Sequence, residues 1–274
     1  MGSLLYADFR RVLKDKLLLV MAILAVVFAL ITPLLYVSIT FSTDEVVEEL
    51  IFGLVSAKSQ FFASFSMSNN LGLIAPVLLA IALCKDFSFG TVRNKIISGK
   101  SRTAIFMSLF VTCSAVLIAV MMLNAFITLG VSLIFFDYQP TPFTLKDYWY
   151  FLTSLGFELL VLLYISAMLS WLCVSMKNVG LVIVLYIAFS FALTLVGGIL
   201  QVVLPILEII GGKESLVSVL RFLDRINIGT ASMYIGTGTE YTLKDILYLT
   251  VPAIAGILGF LGLGIWKFNK KDLK

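Results

Sequence analysis

Histidine is absent from the 274-residue sequence, and only 13% of its residues are charged, against roughly 25% in an ordinary globular protein. The first absence excludes histidine-based acid–base catalysis, histidine metal sites and Ser-His-Asp triads. The three cysteines, Cys84, Cys113 and Cys173, are odd in number, lack CxxC spacing and lie in or beside apolar runs. They predict buried small hydrophobic side chains rather than a disulfide framework or a zinc site.

Apolar residues are in excess: 60% of the chain is hydrophobic and the mean hydropathy is +1.06. A single water-soluble core of this length cannot bury so much apolar surface. A helix needs about 20 apolar residues to cross a bilayer core. We therefore predict an all-α integral membrane protein, a single transmembrane domain over residues 1–274, with six spans over 17–39, 61–84, 104–136, 148–174, 180–205 and 246–266.

Basic residues are distributed unequally between the two sides that six spans create. With the N-terminus inside the cell, 14 of the 20 Lys and Arg residues fall in cytoplasmic segments, and the acidic residues concentrate in the outer ones. Because basic residues near span ends resist translocation, the sequence predicts that both termini are cytoplasmic. The first span follows a basic segment too long for a signal peptide and precedes no small-residue cleavage site, so we expect it to be retained.

Residues 1–16 combine an apolar face and a charged face at helical spacing. The apolar side chains are Leu5, Phe9, Val12 and Leu13, and the charged side chains opposite them are Asp8, Arg11 and Asp15. This pattern predicts an amphipathic helix that lies in the membrane interface before the first span. The alternative is a plain cytoplasmic extension of that span.

The connection over residues 206–245, between the fifth and sixth spans, also has helical features. Pro205 and the pair Gly211-Gly212 are expected to break the fifth span, so that residues 206–210 re-enter the outer leaflet. A stripe of leucine and valine at helical spacing then predicts an interfacial helix. Its members are Leu216, Val219, Leu220 and Leu223. Together these features predict an extracellular helical hairpin, followed by a loop.

The most informative cytoplasmic segment is the loop over residues 85–103, which mixes charges with aromatic and β-branched residues. It predicts a short helix over residues 92–97, flanked by glycines that let the chain turn, as a contact for a cytosolic partner. The alternative is a solvated basic loop that serves topology alone. Gly99-Lys100-Ser101 matches the end of a phosphate-binding loop, but Asn94 replaces the first glycine and no strand precedes it. The chain therefore has no visible nucleotide site.

Polar residues inside the predicted spans are candidates for function. Glu158 lies about ten residues into the fourth span, ~15 Å deep, where ionisable groups usually face a bundle interior or a wet cavity. It is either functional or structural, and either protonated or hydrogen-bonded to Asn124 or a hydroxyl. Polar runs in the second and fifth spans indicate a substrate path or interhelical hydrogen bonding. The run in the second span is Ser64, Ser66, Ser68, Asn69 and Asn70, and the run in the fifth span is Ser190, Thr194 and Gln201. Small-residue packing positions are expected in the last span, at Gly256, Gly259, Gly262 and Gly264.

This order of interfacial helix, six spans, cytoplasmic loop after the second span and helical outer segment before the sixth resembles the membrane subunit of type-2 ATP-binding-cassette (ABC) exporters. The resemblance covers essentially the whole chain. The loop carries Asp86, Gly90-Thr91 and Ser98-Gly99-Lys100-Ser101-Arg102 in the order that these permeases often show. It departs from them in the third span, where a lysine commonly follows and Leu109 stands nearby here.

The resemblance implies a mechanism. In that family the loop after the second span is a coupling helix that docks on a separate ATPase, and the loop between the fourth and fifth spans approaches the ATPase too. Two permeases, here expected to be identical copies, assemble with two ATPases, and the second and fifth spans line the path between the permeases. ATP closes the ATPase dimer, the coupling helices tilt, and the outer hairpins part. ATP and Mg would bind the partner, so neither a cofactor nor enzymatic activity is expected in this chain.

The function that follows is export of an amphipathic or hydrophobic substrate, such as a peptide toxin, bacteriocin, drug or lipid-like molecule, across a bacterial cytoplasmic membrane. The residues expected to couple to the ATPase are Asp86, Phe87, Phe89, Gly90, Thr91, Val92, Arg93, Ile96, Lys177 and Asn178. The residues expected to line the substrate path are Ser66, Asn69, Asn70, Ser190, Thr194 and Gln201.

Two other functions stay open. The chain could be a proton- or ion-coupled secondary transporter that uses Glu158, although such carriers usually display inverted repeats and need no large basic docking loop. It could also be a non-transporting membrane immunity or assembly scaffold. In that case the polar runs of the second and fifth spans could be replaced by leucine without loss of function.

Overall fold

The computed structural model describes residues 2–40, 56–67, 69–88, 90–139, 142–176, 178–211, 213–229, 231, 235 and 240–270. Within these residues the regular secondary structure is helical, without a strand, which confirms the all-α prediction for this part of the chain. The helices are α1 (Gly2–Leu13), α2 (Lys16–Thr40), α3 (Ala57–Ala63), α4 (Asn70–Ser88), α5 (Thr91–Ile97), α6 (Arg102–Phe135), α7 (Leu145–Ser175), α8 (Val179–Ile210), α9 (Glu214–Ile226) and α10 (Leu243–Lys270).

Six of these helices, α2, α4, α6, α7, α8 and α10, are long and apolar enough to cross a membrane. Their number agrees with the six predicted spans and supports a multi-pass membrane protein. Helices α6 and α7 form the centre of the bundle, whereas α2, α8 and α10 leave most of their apolar surface exposed. Ile23, Val184 and Leu258 are examples of these exposed side chains. Such surfaces are expected where helices face lipid or a second membrane protein.

The predicted second span over 61–84 is wrong at its start. Residues 57–63 form the separate helix α3, and α4 begins only at Asn70. The Ser64 hydroxyl donates to the Gln60 carbonyl, and the Asn69 side chain accepts from the Asn70 N–H. Serine and asparagine side chains that bond nearby backbone groups compete with a continuing helix. The turn also folds tightly onto Gly72, where an added Cβ would clash with the Ser66 carbonyl.

Helix α3 is packed inside one end of the bundle. Phe61 and Phe62 contact the ring of Phe151 of α7 at centroid distances of 5.2 and 5.5 Å. The backbone N–H groups of Ala57 and Lys58 donate to carbonyls of residues 137 and 138, beyond the end of α6. Aromatic packing and backbone hydrogen bonds therefore fix this short helix between α6 and α7.

The predicted break of the fifth span at Pro205 is also wrong. Helix α8 continues through Pro205 to Ile210 and ends at Gly211, which adopts a left-handed conformation with φ 76°. Proline removes a backbone donor and its ring crowds the carbonyl four residues earlier, but local adjustment makes it tolerable inside membrane helices. Glycine at the turn carries no Cβ penalty. Helix α9 then packs back on α8 through an apolar contact, whose members are Leu200, Leu204, Leu207, Val217 and Leu220. A helical hairpin is present, with its turn at Gly211.

Glycines bring α10 close to the centre of the bundle. A Cβ on Gly256 would lie 2.3 Å from the ring of Tyr164, and one on Gly264 would lie 2.3 Å from the ring of Phe106. Gly259 and Gly262 have open space where a Cβ would stand. The expectation of close packing in the last span is therefore met by the first pair and not by the second.

The cysteines are buried, as predicted. The sulfurs of Cys84, near the end of α4, and Cys173, near the end of α7, lie 3.1 Å apart. These two helices therefore end at the same side of the bundle, and α5, which follows α4, lies at that side too. The beginning of α7 and helix α3 lie at the other side.

Candidate functional site

Helix α5 is a short element held between two glycine turns. Gly90 before it has φ 69° and Gly99 after it has φ 82°, a conformation that other residues adopt only at a cost. Thr91 Oγ1 lies 2.7 Å from Oδ1 and 2.9 Å from the carbonyl oxygen of Asp86, to which it donates. The short helix predicted over 92–97 is present, one residue longer at its start.

Charged side chains meet where α1 crosses the ends of α4 and α5. We call them the charged cluster, and its members are Asp8, Arg11, Asp15, Lys85, Asp86 and Lys95. Lys95 Nζ lies 2.5 Å from Asp8 Oδ1 and 3.5 Å from Asp86 Oδ2, so one ammonium joins two carboxylates. Arg11 forms a second ion pair with Asp86. Because Asp8 is 3% and Asp86 is 1% exposed, both carboxylates depend on these cations.

Asp8 also joins α1 to α6, because the Ser108 hydroxyl donates to Asp8 Oδ2 at 2.6 Å. The prediction that Asp8 lies opposite the packed face of α1 is therefore wrong. The buried stripe of α1 is Leu4, Asp8 and Val12, and Leu13 is exposed. The i, i+4 and i+8 spacing of these three residues was visible in the sequence. Burial of the Asp8 carboxylate also requires a cation, however, and this cation is Lys95, which lies 87 positions away. The sequence alone therefore could not predict that Asp8 is buried.

Asp15, in the link between α1 and α2, pairs with Lys85 at 2.8 and 3.1 Å. Partial burial acts to raise the pKa of Asp15, but hydrogen bonds from Lys85 and the Leu17 N–H, with the charges of Lys85 and Arg11, outweigh it and lower the pKa. Burial lowers the pKa of Arg11, against the raising effect of Asp8 and Asp15. The pairing of opposite charges thus stabilises the ionised forms where α1 meets α4.

The C-terminal end of α10 is attached to the same region. Arg102 Nη1 donates at 3.0 Å to the carbonyl oxygens of Phe268 and Asn269, which have no partner within the helix. The rings of Phe87 and Phe268 meet edge to face, with centroids 6.2 Å apart. Both flanks of α5 are therefore connected to the last span as well as to α1.

The exposed face of α5 differs from the one predicted. Val92 is buried and Ile96 packs against the core, whereas Arg93, Asn94 and Ile97 are exposed, Ile97 by 73%. Val92 and Ile96 are one turn apart and so share the inner face, which leaves Arg93 and Ile97 on the outer one. Asn94 and Ile97 were not predicted as contact residues, because the loop has apolar residues on both faces of the helix.

The other predicted coupling residues have mixed positions. Asp86 is buried and ion-paired, Phe87 packs on α10, and Gly90 and Thr91 are partly exposed. Asn178 is exposed, and its side chain accepts from the Gly180 N–H at 2.9 Å as the N-cap of α8. The predictions for Phe89 and Lys177 lie outside the described residues.

The predicted path residues lie on α8, at the start of α4 and in the turn before α4, and the two helices contact each other. Tyr186 of α8 donates to the Gly72 carbonyl of α4 at 3.0 Å. Ser190 is buried one turn beyond Tyr186, and Thr194 donates to its carbonyl. Further along α8, Gln201 is exposed. Near the start of α4, Ser66 is buried, Asn69 is partly exposed and Asn70 is exposed. Ser66 and Asn69 belong to the turn before α4 and not to a continuous span.

Glu158 is fully buried in α7, and neither carboxyl oxygen has a hydrogen-bond partner among the described residues. The predicted hydrogen bond with Asn124 is absent, because the Asn124 side chain donates to the Ala25 carbonyl at 2.8 Å. Ser154, one turn earlier on α7, bonds Tyr241 at 2.7 Å. Glu158 is thus a buried acid whose carboxyl oxygens accept no hydrogen bond from the described residues, in contrast to Asp8 and Asp86.

The described residues thus bring together an ion-paired junction of α1, α4, α5 and α6, an exposed α5 face and a contact between α4 and α8. Such an arrangement can transmit a movement from a partner on α5 to the long helices, and it has no visible nucleophile–base pair. No protein-family model matches this chain, and no curated protein sequence matches it either.

Proposed function

We propose that the chain is the membrane permease subunit of an ATP-driven ABC exporter, assembled as two identical permeases with two ATPase subunits in a bacterial cytoplasmic membrane. The observation that carries this proposal is the exposed face of α5 on a short helix whose buried side is ion-paired to α1. A helix of seven residues (Thr91–Ile97) gains little stability by itself. Its connections to neighbouring helices make it suited to receive a force.

The connections determine what such a force would move. Lys95 links α5 to α1 through Asp8, and Asp8 links α1 to α6 through Ser108. Arg102 links the start of α6 to the end of α10. Because ionic and hydrogen-bond links resist separation, displacement of α5 would carry α1, α6 and α10 together, as a rigid-body tilt.

The chemistry of the α5 face indicates the kind of contact. Arg93 and Ile97 stand one turn apart and exposed, which suits a groove on the ATPase with an apolar floor and an acidic rim. A buried apolar anchor beside a charge pair is the usual basis of a strong protein contact. Arg93 replaces the larger set of coupling residues as the centre of the proposed interface, with Asn94 and Ile97 beside it.

The proposed substrate path lies between α4 and α8 and their copies in the second permease. Successive spans cross a membrane in opposite directions, so α4 and α8 run antiparallel, and Ser190 and Asn70 lie on the same side of the Tyr186–Gly72 contact. Polar side chains near an otherwise apolar surface favour an amphipathic substrate. At release, the hairpin of α8 and α9 would separate from its copy in the second permease.

The test is co-purification with a co-expressed ABC ATPase, followed by ATP hydrolysis in lipid nanodiscs. We compare the native chain with Arg93→Glu plus Ile97→Asp, both at exposed positions. The matched control is Arg93→Lys plus Ile97→Val, which keeps the charge and the apolar character. We expect the first variant to lose at least about tenfold in retained ATPase, since it removes an anchor and reverses a charge. Equal retention by both variants would refute the proposed interface.

A second candidate, an ion-coupled secondary transporter, is favoured by the buried Glu158, whose carboxyl oxygens have no hydrogen-bond partner in the part of the chain that the structure describes. A carboxyl in that position can take up a cation or proton that enters the bundle. Transport by the chain alone in proteoliposomes, driven by an ion gradient and abolished by Glu158→Gln, would replace the exporter proposal. Transport that needs the ATPase and persists in Glu158→Gln excludes the ion-coupled function.

A further inference from the structure

At the side opposite α5, the first turns of α7 and α10 enclose a groove of about 300 Å³. Its floor is formed by tyrosines, its rim by an ion pair and its wall by apolar side chains. The side chains that matter are Lys146, Trp149, Tyr150, Glu240, Tyr241 and Ile246. None of them belongs to the charged cluster, the α5 face or the proposed path.

The floor of the groove is fixed before any ligand arrives. The rings of Tyr150 and Tyr241 are stacked, with centroids 4.6 Å apart and planes 10° from parallel. The Tyr241 hydroxyl bonds the Ser154 hydroxyl at 2.7 Å, and the ring of Phe157 meets Tyr241 edge to face. A preorganised floor loses little conformational entropy when a ligand binds.

The rim presents opposite charges to solvent. Lys146 Nζ lies 2.6 Å from Glu240 Oε1, and the two side chains are 79% and 63% exposed. An exposed pair of this kind stabilises the fold little, so a ligand that offers each partner a counter-charge can separate them. The ligand must then carry an anion and a cation a short distance apart.

The position of the groove indicates where such a ligand comes from. Helices α7 and α10 begin at Leu145 and Leu243 and are long and apolar enough to cross a membrane. Trp149, within the first two turns of α7, is exposed, and tryptophan near the end of a span is typical of the headgroup level. Below it, exposed Leu152 and Val251 continue the apolar surface along both helices.

We propose that this groove binds the headgroup of a zwitterionic phospholipid with a primary ammonium, of the phosphatidylethanolamine type. The phosphate forms an ion pair with Lys146. The ammonium forms an ion pair with Glu240 and contacts the ring of Trp149, and the acyl chains lie along the surface of α7 and α10. A purely anionic headgroup lacks a partner for Glu240 and is repelled by it, and a choline headgroup cannot donate a hydrogen bond to this carboxylate. The bound lipid would tie residues 240–242 to α7, whatever the chain transports.

The experiment is native mass spectrometry of the purified chain, titrated with phosphatidylethanolamine, phosphatidylcholine or phosphatidylglycerol of matched acyl chains. The variants are Lys146→Ala, Glu240→Ala and the charge exchange Lys146→Glu with Glu240→Lys. The matched control is Lys244→Ala, an exposed lysine in the first turn of α10 that does not line the groove. Because all substituted side chains are exposed, each variant should keep the wild-type melting temperature without lipid.

We expect phosphatidylethanolamine to be retained preferentially, and each single variant of the rim to bind it about tenfold more weakly, the effect of one lost charge-assisted hydrogen bond. The charge exchange should restore binding, since the zwitterion can reverse its orientation, and Lys244→Ala should bind like the native chain. Equal retention of the three lipids overturns the proposal. Unchanged retention in both Lys146→Ala and Glu240→Ala overturns it as well.

Discussion

The Lys95 ammonium forms ion pairs with two buried carboxylates, so the stability of the fold depends strongly on this side chain. Asp8 and Asp86 approach it from α1 and α4, at 2.5 and 3.5 Å. Arg11 and Thr91 also contact Asp86, and Ser108 donates to Asp8. If the ammonium is removed, Asp8 loses its ion pair and keeps the Ser108 hydrogen bond and the charge of nearby Arg11, and a buried carboxylate without its ion-pair partner destabilises the folded state.

Replacement of Lys95 by methionine should therefore lower the free energy of unfolding by about 3 kcal/mol, the usual effect of breaking a buried pair. The measurement is the thermal unfolding of the purified chain in detergent. Lys100→Ala is the control, because the contact of the Lys100 ammonium with the Ser3 hydroxyl is long, at 3.5 Å. A melting temperature for Lys95→Met no lower than that of Lys100→Ala would show that the charged cluster does not hold α1.

Asp15 predicts a dependence of stability on pH. Its pKa is lowered from the ordinary value of 3.8 in the folded chain, so its ionised form stabilises the fold above that value. This contribution is lost as the pH falls through the lowered pKa. The difference in melting temperature between the native chain and Asp15→Asn should be constant above about pH 5 and shrink below about pH 4. A difference in melting temperature that stays constant over about pH 3 to 7 would contradict the stabilising role of the Asp15 carboxylate.

At this scale the sequence predicted that the loop after the second span contacts a partner, with Asp86 and Arg93 among the contact residues, and that role stays a prediction. It could not assign their roles, because helical spacing does not reveal which charged residue meets a distant partner. Asp8 and Lys95 are 87 positions apart, and only the crossing of α1 over α5 brings them together. Ile97 was missed for the same reason, since the packing of Val92 decides which face is outward.

At the scale of helices, α10 contacts the bundle through glycines at defined positions. Gly256 faces Tyr164 and Gly264 faces Phe106, both with buried rings. Gly259 and Gly262 face open space on other sides of the same helix. Four glycines that look alike in the sequence therefore differ in what surrounds them.

Gly256→Ala and Gly264→Ala should each destabilise the folded chain by about 1–3 kcal/mol, because the added methyl group forces a buried ring to move. Gly259→Ala and Gly262→Ala should be neutral or raise stability by up to about 1 kcal/mol, the difference in helix propensity. Thermal unfolding of the four variants in one detergent provides the comparison. Equal effects in both pairs would mean that α10 does not pack as described.

The two wrong helix boundaries have a common physical cause. Hydropathy predicted the existence of six long helices because membrane length and apolar composition are properties of a segment alone. Where a helix stops depends on competition between local bonds: Ser64 and Asn69 satisfy backbone groups and end α3 early. Pro205 lies inside α8, as prolines are tolerated in membrane helices, and the turn falls at Gly211, where positive φ is needed.

At the scale of the whole molecule, the distribution of basic residues predicts the orientation in the membrane. In a background with the three cysteines changed to alanine, Lys14→Cys and Lys213→Cys place single thiols on exposed residues at the two sides. A membrane-impermeant maleimide applied to intact cells should label Lys213→Cys, and Lys14→Cys should react only after permeabilisation. The opposite labelling pattern would show that the orientation is the reverse of the predicted one and that the α5 face does not lie in the cytoplasm.

The attachment of α1 also has a consequence for the order in which the chain is made. Helix α1 is translated before its partners, because Lys95 and Ser108 follow 87 and 100 positions after Asp8. Until two spans and the start of a third have been synthesised, Asp8 has no ammonium to meet, and the first helix must remain unassembled. Helix α1 thus cannot dock until the later segments that hold its partners have been translated. Nascent chains cut before Lys95 should leave α1 open to protease, whereas chains that extend beyond Ser108 should protect it.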